Sequence, residues 1–212
     1  MTFASREDAG RQLGGHLLER KLDLDLVLGL PRGGVVVAAE VARILQRPLE
    51  VLVVRKIGHP FHREFAVGAL AEHGVALLDD SAIGSDAAVR DRLKEIMKDE
   101  KLRLLEYESR FHIRGQPDLD AKRVLLVDDG LATGASVEAA VLSAGIQGAR
   151  RIIVGVPVAS TSAVERLGRV ADDVVCLVVD PDFGSVGSYY DAFSQTTDET
   201  VLDLLRAASR TG

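Results

Sequence analysis

Two adjacent acids, Asp128 and Asp129, follow an apolar run and precede a loop of small and hydroxyl residues within Val124–Ser136. Apolar residues that end in polar groups are typical of a buried parallel strand, whose carboxyl end is where open α/β sheets bind ligands. The N–H groups of a small-residue loop before a helix attract an anion such as phosphate. Two carboxylates would repel phosphate but would bind hydroxyl groups or a metal ion. A sugar phosphate with vicinal hydroxyls fits both halves of the segment. The loop residues are Gly130, Leu131, Ala132, Thr133, Gly134, Ala135 and Ser136.

A strand, turn and helix without any ligand would explain part of this pattern. Asp129-Gly130 is a common turn pair. A plain turn would not explain why hydroxyl residues, Thr133 and Ser136, stand at the entrance of the following helix.

The segment resembles the phosphoribosyl diphosphate (PRPP) motif of the type I phosphoribosyltransferases. In that motif hydrophobic residues and two acids precede a loop that contains Thr-Gly and ends in Ser or Thr. The resemblance implies that residues 133–136 bind the terminal phosphate, within a substrate-binding loop that begins at Gly130. It implies that Asp128 and Asp129 act in catalysis, holding the ribose hydroxyls and stabilising positive charge on the ring. Mg²⁺ is the implied cofactor, carried by PRPP, and the two acids are the side chains that could also contact it.

A second loop, Gly29–Gly34, follows the first predicted strand and reads G-L-P-R-G-G. Gly33 and Gly34 allow a ligand to approach the backbone, and Arg32 offers a planar cation for phosphate oxygens. Taken alone, this sequence is as typical of an ordinary turn as of a phosphate-binding loop. Beside the motif, it resembles the pyrophosphate loop of the same family, which often contains a cis peptide. Leu30–Pro31 is the chemically easiest position for one, whereas the family's usual position would fall elsewhere in the loop.

A basic pair, Arg55-Lys56, is predicted at the end of the second strand. The orotate-type enzymes carry a similar pair, which implies a catalytic role in receiving diphosphate. The alternative is a solvated strand end. Nearby His59, His62 and His73 lack the firm spacing of a zinc site, so Gly58–Glu64 is interpreted as a mobile loop that closes over the reaction.

Aromatic residues cluster between Phe183 and Phe193, interleaved with glycines and serines. The family places a small hood over the acceptor base, and the resemblance implies such a hood at residues 180–197. Phe183 is the ring predicted to contact substrate. Alternatively, these rings anchor the C-terminal helix.

Alternating strands and helices predict an α/β fold: a mostly parallel sheet with helices on both faces, in one domain over residues 1–212. A charged helix at 86–111 is inserted into this pattern. The predicted strands are Leu26–Leu30, Leu49–Val54, Ala66–Ala71, Val75–Leu78, Val124–Val127, Ile152–Val156 and Val174–Val179. The other predicted helices are Ser5–Lys21, 33–46, Val137–Gln147, Ser162–Leu167 and Thr200–Ala208.

Composition restricts the classes of partner. The net charge of −6 argues against nucleic-acid binding, and no apolar stretch approaches the roughly 20 residues that span a membrane. The single cysteine, Cys176, lies in an apolar run and is predicted to be buried and inert. No secretory signal is visible at the N-terminus. We expect a soluble cytoplasmic protein and a homodimer, to which the 86–111 helix could contribute.

The resemblance implies transfer of the phosphoribosyl group from PRPP to a nitrogenous base with release of diphosphate, in nucleotide salvage or synthesis. The 6-oxopurine enzymes carry an Asp where this loop has Ala132, so the loop sequence of this chain is closer to the adenine- and orotate-type loops. Two alternatives remain: a non-catalytic PRPP sensor on the same fold, and another sugar-phosphate or nucleotide enzyme on a similar sheet.

Overall fold

Two sheets organise the computed structural model, which describes residues 2–62, 66–84 and 86–210. The strands of these residues are β1 (Leu26–Gly29), β2 (Leu49–Val51), β3 (Val54–Gly58), β4 (Ala66–Ala71), β5 (Val75–Leu78), β6 (Arg123–Val127), β7 (Arg151–Ser160) and β8 (Asp173–Asp180). The central sheet is parallel throughout, in the order β2-β1-β6-β7-β8. Its strands are continuous apolar runs because both of its faces are covered.

Helices cover both faces of the central sheet. The helices of the described residues are α1 (Arg6–Glu19), α2 (Gly33–Leu45), α3 (Asp80–Ile83), α4 (Ala87–Phe111), α5 (Ala135–Ile146), α6 (Thr161–Leu167) and α7 (Asp198–Ser209). Of these, α3 and α4 lie against β3 and β4 rather than against the central sheet. Val27 and Leu125 belong to one buried cluster with residues of α1, α2 and α7. Leu28 and Leu126, each one position further along its strand, belong to a second cluster with α5 and α6. The predicted α/β architecture is confirmed. No helix of the described part of the chain is long and apolar enough to cross a membrane.

A separate antiparallel sheet, in the order β3-β4-β5, lies between β2 and β6 in the sequence. The predicted hairpin of β4 and β5 is present. The prediction of one strand over Leu49–Val54 followed by a loop from Arg55 is wrong, because Val54 leaves the parallel sheet and pairs with Ala71. The apolar run continues across the change of sheet, so hydrophobicity alone does not reveal it. Residues 63 and 64 of the predicted mobile loop lie outside the described residues.

A buried carboxylate joins the two sheets where the chain passes between them. Glu72 is 1% exposed and accepts hydrogen bonds from the Val53 backbone N–H at 2.6 Å and the His112 ring at 2.9 Å. The Ser143 hydroxyl donates to the Glu72 carbonyl at 2.9 Å. These contacts satisfy polar groups that would be costly to bury unpaired. They fix the exit of β2 against α4 and α5.

The long helix was predicted correctly. It begins after Asp86, whose carboxylate accepts a hydrogen bond from the Ala88 N–H at 2.8 Å. Its buried stripe, which includes Leu93 and Leu104, belongs to the cluster that also contains Ile57 and Val67 of the antiparallel sheet. The rest of the helix is largely exposed, so its main structural role is to cover that sheet.

Cys176 lies in β8 and is partly rather than fully buried. Its thiol donates to the Val178 carbonyl at 3.0 Å, and burial raises its pKa to about 11. A thiol with a raised pKa is a poor nucleophile, in line with the predicted inert role.

Candidate active site

Two loops meet at the carboxyl edge of the central sheet because β1 and β6 are parallel neighbours, with Gly29 beside Val127. Residues 30–33 and 128–137 line a cleft of about 760 Å³. The remaining walls come from residues 53–56, Tyr107, residues 185–187 and Phe193. This volume is in the range of small-molecule sites.

The cleft brings together every predicted site residue except Gly34 and Phe183. Those lining it are Arg32, Gly33, Arg55, Lys56, Asp128, Asp129, Gly130, Leu131, Ala132, Thr133, Gly134, Ala135 and Ser136. These residues come from three separate stretches of sequence. The structure therefore unites the two Gly-rich loops and the basic pair that were predicted separately.

Gly34 and Phe183 are the predicted site residues that do not line this cleft. A Cβ at Gly34 would lie 2.9 Å from both the Asp128 Cα and the Val127 carbonyl oxygen, so this glycine allows α2 to pack closely on β6. Phe183 stacks on Tyr189 with ring centroids 5.2 Å apart and is not part of the cleft wall. Phe193 lines the cleft instead.

Hydrogen bonds to β7 hold the loop after β6. The Leu131 N–H donates to Val158, and the Ser160 hydroxyl donates to the Ala132 carbonyl at 2.6 Å. Gly134 has φ +74°, in the left-handed region that favours glycine, and α5 begins at the next residue. The first-turn N–H groups of a helix have no partner within it, so this end of α5 can bind a phosphate.

The acid pair is electrostatically coupled. The Asp129 N–H donates to the Asp128 carboxylate at 2.9 Å. Burial and the negative charge of Asp129 raise the pKa of Asp128 to about 8, against smaller opposing effects of Lys56 and Arg6. Without a ligand, Asp128 therefore holds a proton near neutral pH. A ligand that brings positive charge or hydroxyl donors favours its ionised form.

The Asp129 side chain has a partner that sequence reasoning missed. Arg6 Nε donates to Asp129 Oδ2 at 2.7 Å. The Tyr190 hydroxyl donates to the Asp129 carbonyl at 2.5 Å, and burial followed by the Asp129 charge raises the pKa of Tyr190. No local motif marks Arg6 as part of the site.

The cations differ in how firmly they are held. Arg55 contacts Glu100 Oε2 at 2.9 Å through Nε and 2.8 Å through Nη2, and its guanidinium lies 5.2 Å from the centroid of the Tyr107 ring. Arg32 Nη1 lies 3.4 Å from Asp198, a longer contact. Lys56 is exposed in the cleft. Lys56 and Arg32 are therefore better placed than Arg55 to reach an incoming anion.

The cis peptide of the first loop is Pro31–Arg32, one bond after the Leu30–Pro31 position that was predicted.

His59 and His62 have ring centroids 5.3 Å apart. Within the described residues, no group of three or more His, Cys, Asp or Glu is placed to hold a metal ion.

The resemblance to the PRPP motif makes PRPP the expected ligand of this cleft, and replacing Gly33 by Ala is expected to weaken its binding at least about 10-fold, or ~1.4 kcal/mol. The new Cβ would collide with the Asp129 carboxylate and lie 2.7 Å from Arg6 Nε. Calorimetric titration with PRPP and Mg²⁺ measures the change. Gly15→Ala in α1 is the control, because nothing lies within 4 Å of a Cβ there, and it should keep wild-type affinity. Equal affinity of the two variants would contradict the assignment.

Comparison with known proteins now adds independent evidence. A family model described as the phosphoribosyl transferase domain matches residues 7–193. A Mycobacterium tuberculosis protein, provisionally named a phosphoribosyl transferase, is 42% identical over 215 residues, covering 98% of this chain and 47% of the relative. The chain thus spans about half the length of the curated relatives it matches.

Two solved structures are similar to this chain. TT1426 from Thermus thermophilus is 44% identical, with a TM-score of 0.78 and coverage of 97% of this chain and 98% of that one. A purine phosphoribosyltransferase from Pyrococcus horikoshii is 18% identical and shares the fold, with a TM-score of 0.52 and coverage of 93% and 95%. With its PRPP motif at the carboxyl edge of the expected sheet and a family match over most of its length, the chain belongs to the type I phosphoribosyltransferases.

Proposed function

We propose that this protein transfers the phosphoribosyl group of PRPP to a ring nitrogen of a base, releasing diphosphate. The observation that carries the proposal is the meeting, in one cleft, of the acid pair, the N-terminus of α5 and the cations Arg32 and Lys56. Each part suits a different part of PRPP. Membership of the family supports the same class of reaction.

The three parts fix the orientation of the donor. The terminal phosphate would bind residues 133–136 at the start of α5, and the ribose hydroxyls would face Asp128 and Asp129. The diphosphate would extend toward Arg32, Gly33 and Lys56. Because the phosphate loop and the acid pair are contiguous, the ribose ring is held over a rigid strand end. Such positioning supplies much of the rate enhancement in reactions of this kind.

In the reaction, a lone pair on the base nitrogen forms a bond to the anomeric carbon, and the N–H proton that the base loses passes to water. The bond from that carbon to the diphosphate oxygen breaks, and its electron pair leaves with diphosphate. Positive charge develops on the ribose ring because the bond to diphosphate is largely broken before the bond to nitrogen has formed. The carboxylates of Asp128 and Asp129 stabilise this charge electrostatically, and the cations at the other end of the cleft stabilise the leaving group.

The donor set of the cleft fits Mg²⁺ carried by the substrate. Carboxylate oxygens from Asp128 and Asp129 are of the type Mg²⁺ prefers, while the described residues offer no larger cluster of metal ligands. The ion would therefore depend on PRPP oxygens for most of its coordination. When bound, Mg²⁺ neutralises charge on the diphosphate.

The walls of the cleft beyond the ribose position suit a planar acceptor. Phe193, Tyr107 and Val186 are apolar or aromatic and line the same cleft. Ala132 offers no carboxylate to the base. These features favour a base other than hypoxanthine or guanine. The loop sequence, which is closer to that of the adenine- and orotate-type enzymes, favours the same conclusion.

Diphosphate release tests the proposal. The protein is incubated with PRPP, Mg²⁺ and each member of a panel of purine and pyrimidine bases, and diphosphate is measured. Release with one base would establish the transferase and identify its acceptor. PRPP binding by calorimetry without release across the panel would instead favour a PRPP sensor. A result that showed no PRPP binding and no diphosphate release would contradict the interpretation of Val124–Ser136.

A further inference from the structure

Arg6 makes three contacts that connect different parts of the cleft. Its Nε donates to Asp129 Oδ2 at 2.7 Å, and its Nη1 donates to the Ser194 carbonyl at 2.7 Å. Its guanidinium carbon lies 3.8 Å from the centroid of the Phe193 ring. The Arg6 side chain is 11% exposed, so these contacts are largely shielded from water. Shielding strengthens both the ion pair and the stacking.

The backbone around Arg6 is paired with the hood. Phe3 donates to the Tyr189 carbonyl at 2.8 Å, Asp191 donates to the Phe3 carbonyl at 2.8 Å, and Ala192 donates to Ala4 at 3.1 Å. The Phe3 and Tyr190 rings pack with centroids 5.5 Å apart. The residues just before α1 therefore form part of the hood, and they deliver Arg6 to its position.

A second contact from the hood reaches the same acid, through the hydrogen bond from the Tyr190 hydroxyl to the Asp129 carbonyl. Asp129 is thus held at its backbone by Tyr190 and at its carboxylate by Arg6. With Oδ2 engaged by Arg6, Oδ1 is the oxygen left to face a ribose hydroxyl. Phe193 has the guanidinium over its ring and also lines the cleft.

We propose that Arg6 is a positioning residue that orients the Asp129 carboxylate toward the ribose and ties it to the hood through Phe193 and Ser194. One side chain then orders both the acid that faces the ribose of PRPP and the aromatic ring of Phe193 that lines the cleft. The guanidinium is suited to this role because its planar fork donates in several directions while its face stacks on an aromatic ring. The inference rests on the proposed function for its meaning in catalysis.

Two variants separate the two roles of Arg6. Arg6→Ala removes all three contacts, and we expect the Kd for PRPP with Mg²⁺ to rise at least about 10-fold and amide hydrogen exchange of the hood to become faster. Arg6→Lys can keep the ion pair but cannot stack and bridge as the guanidinium does. We expect its Kd to stay within about 3-fold of wild type, while hood exchange remains fast.

Arg11→Ala is the matched control, because Arg11 lies on the same helix, is half exposed and pairs only loosely with Asp8 at 3.6 Å. The Kd of Arg11→Ala for PRPP and its hood exchange should both match wild type. If Arg6→Ala does not fold, Phe193→Leu removes the stacked ring while leaving Arg6 and Asp129 in place, and it should speed hood exchange.

Wild-type PRPP affinity or unchanged hood exchange in Arg6→Ala would overturn the inference, as would unchanged hood exchange in Phe193→Leu. Failure of the wild-type protein itself to bind PRPP would contradict the proposed function. In that case hood exchange in Arg6→Ala would still decide whether Arg6 orders the hood.

Discussion

Replacing Asp128 and Asp129 together by Asn is expected to lower kcat/KM at least about 1000-fold, or ~4 kcal/mol of transition-state stabilisation. Asn keeps the shape of each side chain but removes the negative charge that opposes the positive charge developing on the ribose. The loss should fall mainly on kcat, because that charge is largest in the transition state. Steady-state diphosphate release with the acceptor base measures it.

The chain offers a matched control for this double substitution. Asp79 and Asp80 are a second pair of adjacent acids, and neither lines the cleft. Asp79→Asn with Asp80→Asn should retain wild-type turnover, while the substitution at 128 and 129 should not. Turnover that survives in both double variants would remove the acid pair from the mechanism.

Asp128→Asn alone is expected to stabilise the ligand-free protein at pH 8 while impairing the reaction. The pKa of Asp128 is raised from 3.8 to about 8 in the folded chain. Between these values the folded protein keeps a proton that the unfolded chain has released, so stability falls as pH rises from about 4 to about 8. Asn does not titrate, so the stability of Asp128→Asn relative to wild type increases as the pH rises through this range. Asp128 is only half-buried, and hydration reduces the effect to about 2 kcal/mol, or about 6 °C in Tm.

Thermal unfolding in EDTA between pH 5 and pH 8 measures this gain. The difference in Tm between variant and wild type should be small at pH 5 and largest at pH 8. Asp129→Asn serves as the contrast, because it deprives the largely buried Arg6 of its carboxylate and should destabilise the protein. A pH-independent difference for Asp128→Asn would contradict the raised pKa.

Contiguous features of this protein were predictable from sequence. The strand, acid pair and phosphate loop all lie within Val124–Ser136, where hydrophobicity and turn chemistry act on neighbouring residues. Gly29–Gly34 follows β1 directly for the same reason. Parallel strands bring their carboxyl ends to one edge, and at that edge the structure brings these two loops together.

Long-range contacts were not predictable in this way. Arg6 and Asp129 are separated by 123 positions, and no periodicity relates them. The aromatic cluster was recognised by composition, but which ring faces the cleft depends on how residues 3–6 pair with the hood. That pairing turns Phe193, rather than Phe183, toward the cleft. Likewise, Val54 changes sheet within an apolar run because Val53 finds its partner in Glu72.

The antiparallel sheet and α4 have a consequence for how this scaffold could diversify. In the proposed function, most residues that bind the donor lie on loops of the central sheet, whereas Lys56 at the diphosphate position and Tyr107 reach the cleft from a module inserted between β2 and β6. The buried Glu72 is one of the contacts that fix that module, which also packs against α5. Exchange of the inserted module between relatives would therefore alter selectivity for the base while preserving PRPP chemistry, provided that Lys56 and the Glu72 contacts were retained.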